Sequence, residues 1–99
     1  MTSYTSKTYT AALEEAVADW DWLDGALYAE FIFADFKQAF AFVTQVAEVA
    51  EQMNHHPDWQ NSYNRVAISL RTHDQDAVTG LDVALAKQLS MLYTRFKQP

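Results

Sequence analysis

The chain has 99 residues and no cysteine, which excludes disulfides, thiolate metal sites and a cysteine nucleophile. Its net charge of −6 would repel a phosphate backbone, so direct contact with nucleic acid is not expected. No run approaches the ~20 apolar residues that cross a bilayer, and the polar segment Met1 to Thr10 does not resemble a signal peptide. We expect one soluble, cytoplasmic domain over residues 1–99, without a membrane partner. A chain this short buries limited surface, which favours self-association.

The first predicted elements are a helix and a β-hairpin. After Thr8 or Thr10 as N-cap, apolar residues recur at helical spacing and predict a first helix that ends near Asp19. Apolar residues then alternate on both sides of Asp24-Gly25. Because Asp-Gly favours the tight turn that joins antiparallel strands, this segment predicts two paired strands.

The next segment carries the strongest helical pattern in the chain. Asp35 is a suitable N-cap, and apolar residues keep a helical rhythm from Phe36 to Met53. The helix is predicted to stop at Asn54, because Pro57 disfavours helical geometry at His56.

A second pair of strands is predicted beyond this loop. Residues 59–62 form one short strand, Tyr63-Asn64 a turn, and residues 66–70 a strand with alternating apolar positions. His73 lies just past the end of that strand.

A last helix is predicted after Thr79, which forms a variant of the capping box with Asp82 three residues later. Leucines and a phenylalanine line one side of this helix from Leu81 to Phe96. The predicted fold class is α+β, with a four-stranded antiparallel sheet, three helices packed on one face of it, and the order αββαββα.

The three histidines are the candidates for chemistry. His55, His56 and His73 all lie at element ends, where functional sites are commonly built. Imidazole gives and takes protons near neutral pH, which suits general acid/base catalysis. A capping or surface role for any one of them is the simpler alternative. A zinc site in which Glu51 or Asp58 joins His73 has little support, because the chain lacks the helical HExxH pattern.

These histidines belong to a longer pattern of spaced residues. It reads E-x3-HHP-x5-Y-x9-H-x8-D and comprises Glu51, His55, His56, Pro57, Tyr63, His73 and Asp82. The pattern resembles the signature of the pterin-4a-carbinolamine dehydratases. Further similarity extends over most of the chain and weakens before Trp20.

The resemblance implies a fold of order αββαββα and assembly as homodimers or homotetramers. It implies dehydration of 4a-hydroxytetrahydropterin to quinonoid dihydropterin and water, without a metal or an organic cofactor. The substrate is the pterin released by aromatic amino acid hydroxylases, so such a hydroxylase is the expected pathway partner.

The resemblance also implies roles for individual residues. His55 and His73 would share the acid/base work at C4a, while His56 would chiefly hold the pterin; all three are counted as catalytic. The expected substrate-binding residues are Asn54, His55, His56, Arg71, Thr72, His73, Asp74 and Asp82. Asp82 is equally well explained as a first-turn helix carboxylate. Glu51 is expected to orient the loop, and Tyr63 to pack in the core with its hydroxyl bonded.

A non-catalytic function remains open, in which the same fold serves as an assembly or coactivator module. Relatives of that kind tend to lose the histidines. Because this chain keeps all three, catalysis is the favoured hypothesis.

Overall fold

The computed structural model describes Ser3–Tyr4 and residues 20–97. In chain order the elements are β1 (Ser3–Tyr4), β2 (Asp21–Leu23), β3 (Ala26–Ile32), α1 (Phe36–Met53), β4 (Asp58–Ser62), β5 (Arg65–Leu70), β6 (Val78–Thr79) and α2 (Gly80–Lys97).

The predicted four-stranded antiparallel sheet is confirmed, with strand order β2-β3-β5-β4. Side chains alternate between its two faces, and the inward positions of β3 and β5 are apolar and buried. The inward cross-strand pairs are Leu27 with Leu70, Ala29 with Ile68, and Phe31 with Val66. This register places one continuous apolar face under the helices.

The β2–β3 hairpin turns at Asp24 and Gly25, as the sequence predicts. Both residues have positive φ, 52° at Asp24 and 77° at Gly25, which is the geometry of the type I′ turn. The second hairpin turns at Tyr63, also with positive φ, 51°. The prediction that Tyr63 packs in the core is wrong, because 66% of the residue is exposed. Tyr63 lies in the turn between β4 and β5, outside the paired residues of both strands.

Helix α1 begins and ends as predicted. The Asp35 side chain accepts a hydrogen bond from the backbone N–H of Gln38, and Asn54 closes the helix in the left-handed conformation. Both described helices cover the same face of the sheet and contribute to one core. Their buried core residues include Ala39, Phe42, Val43 and Val46 from α1, and Leu85, Ala86, Leu89 and Leu92 from α2.

The helix count differs from the prediction. Within residues 20–97 there are two helices rather than three, and the first predicted helix lies outside the described residues. A small second sheet was not predicted: β1 pairs with β6, with Ser3 opposite Thr79 and Tyr4 opposite Val78. Strands of two residues are too short to leave a periodic signal. Neither described helix is long and apolar enough to span a membrane.

Candidate active site

A cavity of ≈ 390 Å³ opens where the loop after α1 meets the loop after β5. Its volume falls within the range of about 300–1,000 Å³ that is usual for small-molecule sites. Both polar and apolar side chains line it, which suits a flat ligand with hydrogen-bonding edges. The lining residues are Asn54, His55, His56, Thr72, His73, Asp74 and Leu81.

The end of α1 places the first histidines. Asn54 has φ 52° and ψ 42°, a conformation that asparagine tolerates better than most residues. The backbone N–H of His55 then donates to the carbonyl oxygen of Ala50, 3.0 Å away. This reversal directs the chain away from the helix axis and brings His55 to the cavity wall.

His55 is held from behind by a buried carboxylate. Its Nε2 lies 2.6 Å from Oδ1 of Asp82, whose side chain is 0% exposed. The other Asp82 oxygen, Oδ2, accepts from the Thr72 hydroxyl at 2.8 Å and from the backbone N–H of Thr79 at 2.9 Å. Asp82 therefore caps α2 and orients His55 at the same time.

The two other histidines face exposed carboxylates. Nε2 of His56 lies 2.8 Å from Oε1 of Glu51, and Nε2 of His73 lies 3.5 Å from Oδ2 of Asp58. The first contact is a hydrogen bond, and the second is an ion-pair contact beyond ordinary hydrogen-bond length. All three imidazoles thus have a carboxylate neighbour, but only that of His55 is buried.

A tight loop positions His73 and Asp74. Thr72 and Ala77 pair as an isolated antiparallel bridge, and the backbone N–H of Gln75 donates to the Thr72 carbonyl oxygen at 3.1 Å. These bonds hold the loop against the end of β5, so that the side chains at 73 and 74 reach the cavity that the α1 loop lines from the other side.

Most of the predicted site residues meet at this cavity, but Arg71 and Asp82 do not line it. Arg71 forms an ion pair with Asp76 at 3.1 Å and lines a different cavity, so its contact with substrate remains a prediction. Asp82 acts from behind His55. Leu81 was not predicted, because a leucine in an apolar helix stripe carries no signal of a site.

The geometry supports proton transfer on a small ligand. Three imidazoles, the side chains most often used for general acid/base catalysis, line one cavity, and that of His55 is fixed by a hydrogen bond to a buried carboxyl group. Among the residues that the structure describes, no group of three or more histidine, aspartate or glutamate side chains is arranged to hold a metal ion.

The fold and the cavity together define an α+β protein with a histidine-lined cavity. The family model for pterin 4 alpha carbinolamine dehydratase matches residues 2–92. A protein of Mesorhizobium japonicum that carries the provisional name pterin-4-alpha-carbinolamine dehydratase is 52% identical over 83 residues, which span 82% of this chain and 84% of that protein. The chain belongs to the pterin-4a-carbinolamine dehydratase family.

Solved structures share the fold. The crystal structure of a transcriptional coactivator/pterin dehydratase from Brucella melitensis has a TM-score of 0.85 at 37% identity, covering 93% of this chain and 99% of its own. A pterin dehydratase-like protein, identified as a RuBisCO assembly factor in the alpha-carboxysome, has a TM-score of 0.62 at 21% identity, covering 75% and 86%. The second likeness shows the fold alone.

Proposed function

We propose that this protein dehydrates 4a-hydroxytetrahydropterin, including 4a-hydroxytetrahydrobiopterin, to quinonoid dihydropterin and water. The observation that carries the proposal is the cavity lined by His55, His56 and His73, in a chain whose family is named for this reaction. The reaction requires proton transfers and a site for a bicyclic ring.

The chemistry balances with proton transfer alone. The C4a–O bond breaks as a general acid protonates the leaving hydroxyl, which departs as water. A ring nitrogen gives up a proton to a general base, and its electron pair restores conjugation. His55 and His73 take these two roles, and each transfer contributes about 10²- to 10⁴-fold in rate.

Substrate recognition falls to the remaining lining residues. His56, paired with Glu51 on the open side of the cavity, holds the pterin. Polar groups of Asn54 and Asp74 can hydrogen-bond to the amide-like edge of the ring, and Thr72 lines the cavity beside them. No metal or organic cofactor is part of this proposal.

The proposal extends to the assembly and setting of the protein. We place it in the cytoplasm as a homodimer or homotetramer, which recycles the pterin of an aromatic amino acid hydroxylase. Several large apolar side chains at the surface support self-association, since burying them would stabilise an assembly. They include Leu23, Ile32, Phe36, Phe40, Trp59 and Met91.

The decisive experiment measures turnover of chemically prepared 4a-hydroxytetrahydropterin. The double variant His55→Ala/His73→Ala should lose at least about 10²-fold in kcat, because both proton-transfer groups are gone. His56→Ala should mainly raise KM, because it removes binding that is equal in the ground and transition states.

Gln52→Ala serves as the matched control. Gln52 is an exposed residue near the end of α1 and does not line the cavity, so its loss should leave kcat and KM unchanged. Equal turnover by wild type and the double histidine variant would refute the catalytic proposal.

A non-catalytic assembly or coactivator role is the second candidate, favoured by the likeness to the Brucella melitensis protein, which is described as a transcriptional coactivator as well as a pterin dehydratase. This role predicts one stoichiometric protein partner and no measurable pterin binding. Affinity capture of the tagged protein, combined with titration of a pterin by calorimetry, separates the two functions.

A further inference from the structure

Two buried threonine hydroxyls lie behind His55, and the dehydration chemistry alone does not call for them. Oγ1 of Thr72 and Oγ1 of Thr79 are 2.6 Å apart, and the two residues are 3% and 0% exposed. Thr72 forms the bridge with Ala77 that closes the 72–77 loop, while Thr79 precedes α2 and its hydroxyl accepts from the backbone N–H of Leu81. Their contact joins the two segments that hold Asp82 and His73.

Counting the available protons assigns one donor and one acceptor to each hydrogen bond in this cluster. The backbone N–H of Thr79 can only donate, so Oδ2 of Asp82 accepts there. The one hydroxyl proton of Thr72 also points to Oδ2, at 2.8 Å. The proton in the 2.6 Å contact must then come from Thr79, whose own oxygen accepts from the backbone N–H of Leu81 at 3.3 Å.

The linked threonine hydroxyls and the Thr79 backbone supply Asp82 with hydrogen-bond donors. Two of them converge on Oδ2, so this oxygen acts as a hydrogen-bond acceptor. Among the described residues, no buried side-chain polar atom lacks a hydrogen-bond partner, so the network is complete. If Oδ1 is an acceptor like Oδ2, Nε2 of His55 is the donor of the 2.6 Å bond.

We propose that Thr72 and Thr79 are positioning residues: their ordered hydroxyl chain keeps Asp82 an acceptor and thereby holds a His55 ring proton on Nε2. The ring nitrogen left to exchange a proton at the cavity is Nδ1. The assignment of Nδ1 to the reaction rests on the proposed dehydratase function, whereas the position of the proton on the ring does not.

The test observes the imidazole nitrogens directly by NMR, in protein with ¹⁵N-labelled histidine rings and no ligand. Wild type should show His55 with hydrogen on Nε2 and with that proton protected from exchange with water. Thr72→Ser keeps the hydroxyl and should reproduce this spectrum. Thr72→Val removes the donor at nearly equal volume, so the Nε2 proton should broaden by exchange, while the signals of the exposed His56 and His73 stay unchanged.

Kinetics supply a second readout on the same variants. Thr72→Val should lower kcat by about tenfold, a part of the about 10²- to 10⁴-fold that proton transfer contributes, with KM within about twofold of wild type. Thr72→Ser should restore kcat. Thr44→Val is the control, because the Thr44 hydroxyl is exposed and bonds only to the carbonyl oxygen of Phe40 within α1.

The outcomes separate this proposal from the function on which it partly rests. A wild-type spectrum in which His55 carries hydrogen on Nδ1 instead of Nε2 overturns the proposal. That spectrum can be read even if Thr72→Val fails to fold. A folded Thr72→Val whose His55 signals and kcat match wild type overturns it as well. If the ring proton behaves as expected but wild type does not turn over the hydroxypterin, the dehydratase function fails and the positioning role stands.

Discussion

His55 and Asp82 are 27 residues apart in the chain, yet their side chains form a buried hydrogen bond of 2.6 Å. The carboxylate is fully enclosed, while the imidazole reaches the cavity. A buried polar group is tolerated only where it is well bonded, and Asp82 has three hydrogen-bonding partners. The pair therefore connects the start of α2 to the chemistry of the site.

Replacing this carboxylate tests the connection. Asp82→Asn keeps the shape of the side chain, but the amide group loses an acceptor and competes as a donor. We expect kcat to fall at least about tenfold. The free energy of unfolding should fall by about 1–3 kcal/mol, because a buried donor is left without its partner. Steady-state kinetics and urea unfolding measure the two effects.

Asp76→Asn is the matched control for this change. Its side chain is 83% exposed, and its φ of 51° suits asparagine as well as aspartate. Both kcat and the free energy of unfolding should stay close to the wild-type values in this variant. An Asp82→Asn protein with wild-type kcat would show that His55 needs no carboxylate.

The fold was predictable where local signals were strong. Asp24-Gly25 fixes a turn through backbone conformation, and Asp35 caps a helix whose apolar spacing is regular. Tyr63 was misplaced because an aromatic residue between two strands fits a core position as well as the tip of a turn. The turn at Tyr63-Asn64 was predicted, and what the structure adds is that the Tyr63 side chain is exposed there.

The site was predictable in part, for a related reason. The spacing of His55, His56 and His73 identified the residues that share the cavity. The sequence could not show that Asp82 has two roles. A carboxylate that only caps the helix and one that also bonds to His55 would stand at the same position in the chain. The Thr72 contact with Thr79 was equally hidden, since it depends on how the intervening loop folds back.

A charged cluster on the outer face of the sheet gives a prediction for pH. Arg65 donates to Glu30 at 2.7 Å and Tyr28 donates to it at 2.8 Å, and these bonds lower the pKa of Glu30 from 4.5 to about 2. A carboxyl group with a lowered folded-state pKa stabilises the protein above pH 4.5 and loses this effect as the pH falls through 2. The contribution is limited by solvent, because the cluster is exposed.

Glu30→Gln should therefore be less stable than wild type at neutral pH, and the difference should shrink between pH 4.5 and about 2. Urea unfolding at several pH values measures it. Glu48→Gln, at an exposed glutamate that forms no ion pair with any described residue, should show no such pH-dependent difference. A stability difference between Glu30→Gln and wild type that is constant across this pH range would contradict the lowered pKa of Glu30.

Replacing each of the two glycines of the chain with alanine should change the stability of the protein in opposite directions. An added Cβ would have free space at both, but Gly25 has φ 77° and Gly80 does not adopt a positive φ. Gly25→Ala should destabilise the protein by about 1 kcal/mol, because alanine is strained in the left-handed region. Gly80→Ala, at the first residue of α2, should stabilise it by about 0.4–1 kcal/mol. Thermal unfolding of both variants provides the comparison.

The cavity is built from one short stretch of chain. Every lining residue falls between Asn54 and Leu81, and the intervening residues form the β4–β5 hairpin. Closing that hairpin brings the two walls together through contacts that are near in sequence, which fold quickly and at low entropic cost. A substitution in β2 or at the far end of α1 should thus lower stability while leaving the relative placement of the imidazoles unchanged.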